Sequence, residues 1–133
     1  ASAGLSRTNR HLTFLHRLTQ TQTRRYGGKP VRIINHPILP DDPPPDTTIF
    51  FDGREIPAKA GEPIAAALLA AGVRVFRRTV KRGYPRGIFC GIGRCTDCVM
   101  IVNGKANVRT CTTPVEPGMR VETQHGLGKR EDA

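Results

Sequence analysis

The chain has 133 residues, 38% of them hydrophobic, with no Trp, 14 Gly and 11 Pro. That composition fits one loop-rich domain with a modest core, of the kind that needs a staple such as a metal centre. The longest apolar run, residues 64–73, is too short to cross a bilayer, and no stretch resembles a secretory hydrophobic segment. The net charge of +10 is uneven: residues 1–40 hold seven Lys or Arg, residues 63–96 hold seven more, and neither tract has a carboxylate. Tracts of this kind suit nucleic acid, anionic lipid or acidic protein subunits, against the plainer reading of a solvated basic face.

In chain order, residues 1–46 read as an extended basic arm and Pro-rich linker. Leu12, Phe14, Leu15 and Leu18 give the arm one apolar side for a short helix. Its acid-free, Arg- and Thr-rich composition also matches a mitochondrial transit peptide. The reading adopted is an arm ordered by lying on other subunits. The segment "PILPDDPPPD", residues 37–46, is rich in breakers and should run extended.

Residues 47–125 carry the regular signals. "TTIFFDGREIPA" is two β-type runs joined at Asp52-Gly53, the dipeptide of a type I′ turn. "GEPIAAALLAAG" reads as a helix with Pro63 at its first position and Gly72 at its C-terminal cap. It is apolar on nearly every face and should be buried against a sheet. "VRVFRRTV", residues 73–80, alternates as a strand. A glycine-rich cysteine loop follows, and "VMIVNGKANVRTC" predicts a second hairpin turning at Asn103-Gly104. With a two-residue turn, Cys98 falls opposite Arg109, and Cys111 lies two residues beyond on the face of residue 109. "PGMRVET", residues 117–123, supplies a turn and a last strand, and residues 126–133 form a tail. Strands wrapped around one helix make an α+β domain of the β-grasp kind.

The cysteines Cys90, Cys95, Cys98 and Cys111 are spaced C-x4-C-x2-C-x12-C. The first three match the plant-type [2Fe–2S] ligand spacing, in which four thiolates hold two irons. Such a centre needs converging sulfurs and a backbone free to wrap around inorganic sulfide, which Gly91 and Gly93 allow. Backbone N–H groups of the loop can then bond the sulfurs and tune the potential.

Other readings compete. Cys95 and Cys98 form a C-x2-C unit like those of zinc sites, although zinc usually draws its other pair from a second knuckle. Disulfides are disfavoured in an intracellular setting. A Rieske centre needs two histidine ligands, and His11, His16, His36 and His125 all lie outside the cysteine run. No dinucleotide or Walker loop is present. Thr110, Thr112 and Thr113 flank a cysteine and are expected to bond locally rather than act as nucleophiles.

The stretch "FFDGREIPAKAGEPIAAALLAAGVRVFRRTVKRGYPRGIFCGIGRCTDC" resembles the small iron–sulfur subunits of multisubunit flavin-dependent dehydrogenases. These oxidise opines, proline or hydroxyproline, and include the cyanide-forming glycine oxidases. It is also similar to the N-terminal region of the sarcosine oxidase large subunit, where "FDG", "AALLAAGVRV" and "PRGI" recur, typically without the cysteines. The likeness spans about residues 48–125 and omits the arm. It implies cluster ligation by Cys90, Cys95, Cys98 and Cys111 and a β-grasp, ferredoxin-like fold. It also implies FAD or FMN and the substrate pocket on partner subunits, with no catalytic residue in this chain.

The expected function is therefore a one-electron relay in a hetero-oligomeric dehydrogenase or oxidase acting on an amino-acid-derived secondary amine. The expected location is cytoplasmic, free or peripheral to a membrane, with no transmembrane segment and no nucleic-acid partner. Arg82, Arg86, Arg94 and Arg109, if close, would favour the reduced centre. The rival is a zinc-stapled basic module that binds nucleic acid. It is weakened by having only Tyr26 and Tyr84 as stacking tyrosines and no known finger spacing.

Overall fold

The protein is described by a computed structural model covering residues 32, 33 and 35–128. The helix expected around Leu12–Leu18 lies outside the described residues, as does the end of the tail. Strand β1 (Thr47–Phe51) pairs antiparallel with β2 (Arg54–Ala58) across the Asp52-Gly53 turn. Both turn residues have positive φ, 46° and 79°, as a type I′ turn requires. Period-two alternation sends Ile49, Phe51, Ile56 and Ala58 to one buried face.

Helix α1 (Ile64–Ala70) lays Ile64, Ala65, Ala67 and Leu68 into the same core. Full burial of a side chain such as Leu68 contributes about 1.5–3 kcal/mol. Pro63 stands before the helix rather than at its first position, with an extended ψ of 136°. The reason is tertiary: the Ile64 and Ala65 N–H groups donate to Thr113 and Thr110 carbonyls at 2.9 and 3.0 Å. They pull the helix start onto the chain around Cys111, while Pro63 bridges Pro114. Gly72, φ 85°, ends the helix as expected, with Gly72 N–H bonded to Leu69 and Val73 N–H bonded to Leu68.

Closing that cap removes Val73 from the strand expected over residues 73–80. Only β3 (Arg77–Arg78) forms, pairing antiparallel with β4 (Pro85–Arg86) and parallel with β8 (Gln124–His125). The larger sheet has the order β2-β1-β7-β5-β6, with β5 (Val99–Val102), β6 (Lys105–Arg109) and β7 (Arg120–Glu122). Its central β1–β7 pair is parallel and its other pairs are antiparallel. This mixed sheet with one described helix is the expected α+β, ferredoxin-like fold.

Both hairpin turns also latch β7. The Asp52 carboxylate accepts from Thr123 N–H at 2.8 Å and Thr123 Oγ1–H at 2.7 Å. Asn103 exchanges two 2.8 Å bonds with the backbone of Arg120. Among the described residues, no helix is long and apolar enough to cross a membrane.

The linker folds back on the domain. Arg32 makes a bidentate pair with Glu62 at 3.0 and 3.2 Å, Lys59 Nζ bonds the Asp42 carboxylate, and Ala60 N–H donates to Asp46 at 2.9 Å. The Lys59 hydrogen bond holds the Asp42 carboxyl below its usual range. A depressed carboxyl pKa favours the docked linker above the ordinary carboxylate range, and that preference is lost as pH falls through the depressed value. Asp42→Asn should therefore loosen the linker at neutral pH. Acidification below about pH 4 should do the same in the unaltered chain, read from amide chemical shifts of residues 38–46.

Candidate metal centre

The cysteine loop, residues 87–98, runs from β4 into β5, and Cys111 lies in the turn after β6. The structure brings all four cysteines into one group as free thiols. They form two pairs. Cys90 and Cys95 are half-buried, and their side chains hydrogen-bond each other. Cys98 and Cys111 are buried, hydrogen-bond each other, and Cys111 also feels negative charge on Cys90.

The loop backbone is turned toward the sulfurs. N–H groups of Ile92, Cys95 and Arg94 point at Cys90, with Cys95 N 3.4 Å from Cys90 Sγ, and Gly93 N–H points at Cys111. Gly91 and Gly93 take positive φ angles of 67° and 75°, which turn successive N–H groups inward. Led by the Ile92 N–H, these donors draw the Cys90 thiol down to about 6. Cys111 moves the other way, pushed up first by burial and then by its hydrogen bond with Cys98. The thiolate, the form that binds metal, is thus favoured at Cys90 and costs more at Cys111.

This donor set fits a two-iron cluster. Four thiols gathered in two neighbouring pairs, with loop N–H groups turned toward Cys90 and Cys111, supply the four sulfur ligands and the sulfur-directed donors that such a cluster uses.

The register of the second hairpin differs from the expected one. Val99 faces Arg109, and Met100 faces Val108, but Val102 faces Lys105, so β6 carries one extra residue. Asn107, with φ 62°, occupies this bulge. Cys98 therefore lies against Thr110 rather than Arg109, and Thr110 Oγ1–H donates to the Cys98 carbonyl at 2.7 Å. Arg109 instead reaches across the loop, with Nε donating to Cys95 O at 3.1 Å. Thr112 and Thr113 bond the Arg109 carbonyl, the local role expected of them. His36 caps its own turn through Nδ1, and His125 sits exposed on β8.

Sequence reasoning missed three residues that build the site: Asn107, Gln124 and Asp97. Gln124, buried, holds the bulge through 2.8 Å bonds to both the backbone N–H and side chain of Asn107. Asp97, the lone carboxylate between residues 63 and 115, faces Arg77 of β3 at 3.7 Å. An asparagine inside a strand pattern was the one available signal for a bulge. The Thr110 hydroxyl joins the two cysteine-bearing segments in a fully buried position. Thr110→Val keeps the shape and removes the donor, so it should cost about 1–3 kcal/mol in urea unfolding. Thr112→Val, at an exposed site, should cost far less.

Comparison with known proteins places this geometry. Residues 45–126 match the family described as 2Fe-2S iron-sulfur cluster binding domain. The hydrogen cyanide synthase subunit HcnA of Pseudomonas aeruginosa is 39% identical over 87 residues, covering 65% of this chain and 83% of that protein. HcnA of Pseudomonas protegens is 36% identical over 78 residues, covering 59% of this chain and 73% of that protein. In solved structures, L-proline dehydrogenase from P. horikoshii is similar with a TM-score of 0.56 and 31% identity. That likeness covers 65% of this chain but 17% of the dehydrogenase chain. The chain belongs to the 2Fe-2S iron-sulfur cluster binding domain family.

Proposed function

We propose that Cys90, Cys95, Cys98 and Cys111 hold a single [2Fe–2S] cluster, and that the chain relays electrons in a hetero-oligomeric flavin-dependent dehydrogenase or oxidase. The observation that carries this reading is the gathering of four free thiols into two linked pairs inside a domain of this family. When bound, such a cluster supplies one-electron storage that amino-acid side chains lack.

The chain's own residues do the rest. The N–H groups of Ile92, Gly93, Arg94 and Cys95 orient and stabilise sulfur ligands, as a nest of donors does for any anion. Cys98 and Cys111 sit in the core cluster with Met100 and Val115, which keeps water from the inner side. Arg94 lies in the loop and Arg109 is bonded to it, and their positive charge favours the more negative reduced state. The potential should accordingly lie above the roughly −400 mV of plant-type centres.

FAD or FMN and the substrate pocket belong, in this reading, to partner subunits. Support comes from relatives described as a subunit of hydrogen cyanide synthase, and from likeness to a small part of a proline dehydrogenase chain. The substrate class is an amino-acid-derived secondary amine of the opine, proline, hydroxyproline or sarcosine type. This chain contributes no catalytic residue to its oxidation. A zinc-stapled nucleic-acid module is the weaker reading, since the family match is to an iron–sulfur domain.

Anaerobically purified protein should contain about two irons and two sulfides per chain, and Cys95→Ser should disrupt the centre. Stoichiometric zinc without sulfide contradicts the assignment. The isolated chain should oxidise no amine, opine or proline, and turnover in the absence of a flavoprotein would show an active site of its own.

A further inference from the structure

From Arg77 to Asp97 no residue is buried, although the stretch includes two strands and most of the cysteine loop. Val80, Tyr84, Phe89 and Ile92 stand out from it, Phe89 at 81% and Ile92 at 69% exposure. Lys81, Arg82, Arg86 and Arg94 are exposed in the same stretch, and no carboxylate occurs from residue 63 to residue 96. Large apolar side chains interleaved with arginines are the composition of an interface centre and its rim.

Part of this surface is tied down by its own hydrogen bonds. The tip between β3 and β4 is closed by Thr79 N–H to Tyr84 O and by Gly83 N–H to Thr79 O, each at 3.0 Å. Tyr84 N–H to Thr79 Oγ1 and Arg78 to Gly83 O, also 3.0 Å, add two more bonds. Arg82 bonds the Tyr84 hydroxyl at 3.3 Å with its guanidinium 6.0 Å from the ring centroid. A surface held this way loses little conformational entropy when it is covered. Phe89 and Ile92 flank Cys90 in the chain, so whatever covers them lies beside Cys90 and Cys95, the more exposed thiols.

We propose that residues 80–94 are the surface on which the chain docks the flavin-bearing subunit, whose matching face carries carboxylates around an apolar centre. This rests on the relay reading above. Phosphate backbones would neutralise the arginines but gain nothing from the aliphatic Val80 and Ile92. A lipid surface would take both kinds of side chain, yet it would leave the surface pair of thiols facing no electron donor. A protein donor uses every feature of the patch.

The test uses the intact complex, assembled from the flavin subunits and the cluster-bearing chain. Phe89→Ser with Ile92→Ser should weaken association about ten-fold or more while the chain's visible spectrum is unchanged. Arg82→Glu with Arg86→Glu should slow association about ten-fold at low salt, an effect that shrinks as salt rises. Lys105→Glu, on the exposed edge strand β6, should change neither quantity. Unaltered binding of flavin subunits by both double variants overturns the docking surface alone. So does a loss confined to binding of a mixed-sequence DNA duplex or anionic phospholipid vesicles. A cluster-bearing chain that never associates with a flavoprotein overturns the relay reading, and this proposal with it.

Discussion

Gln124 lies buried with its amide spanning the bulge at Asn107: its Oε1 accepts the Asn107 N–H, and its Nε2 donates to the Asn107 side chain. Without the extra residue, β6 would slip by one, and every side chain from Val108 onward would change faces. Thr110 would then lose the Cys98 carbonyl, and Cys111 would leave the thiol group. The polar clamp is fully satisfied, as a buried amide must be if it is to specify one arrangement rather than cost stability. A glutamine from the last strand thus sets where the last cysteine falls.

The site is built asymmetrically on this frame. The inner pair, Cys98 and Cys111, is fixed by the core: Cys98 directly precedes β5, and the start of α1 bonds the carbonyls on either side of Cys111. The outer pair, Cys90 and Cys95, is fixed mainly by the N–H groups of its own loop. One side of the group is therefore closed by packing, and the other stays partly exposed. That division suits a relay, which must be insulated from water yet reachable by a donor.

Both hairpins were legible because Asp52-Gly53 and Asn103-Gly104 meet a backbone requirement that few other dipeptides meet. The helix was legible from its apolar run and Gly72. The cysteine group was legible because C-x4-C-x2-C is a ligand spacing in its own right. What escaped depended on contacts distant in the chain. Pro63 shifted by one because Thr110 and Thr113 take the first helical N–H groups. The strand over 73–80 shortened because Val73 serves the helix cap. The bulge, and hence the pairing of Cys98 with Thr110, is imposed by Gln124, 17 residues from Asn107. Asp52 and Asn103 read as turn formers and gave no sign that they also latch β7.

The uneven charge takes on a physical sense in this arrangement. In the proposed relay, Arg109, bonded to the loop, would favour added negative charge, and the acid-free stretch would offer a complementary face to carboxylates. The central claim is that the four cysteines hold a centre taking up single electrons. A reductive titration of the anaerobic protein followed by electron paramagnetic resonance tests it most directly. The account predicts uptake of one electron per chain, with a diamagnetic oxidised protein becoming paramagnetic on reduction and losing visible absorbance. A protein that takes up no electron and remains silent on reduction would contradict it.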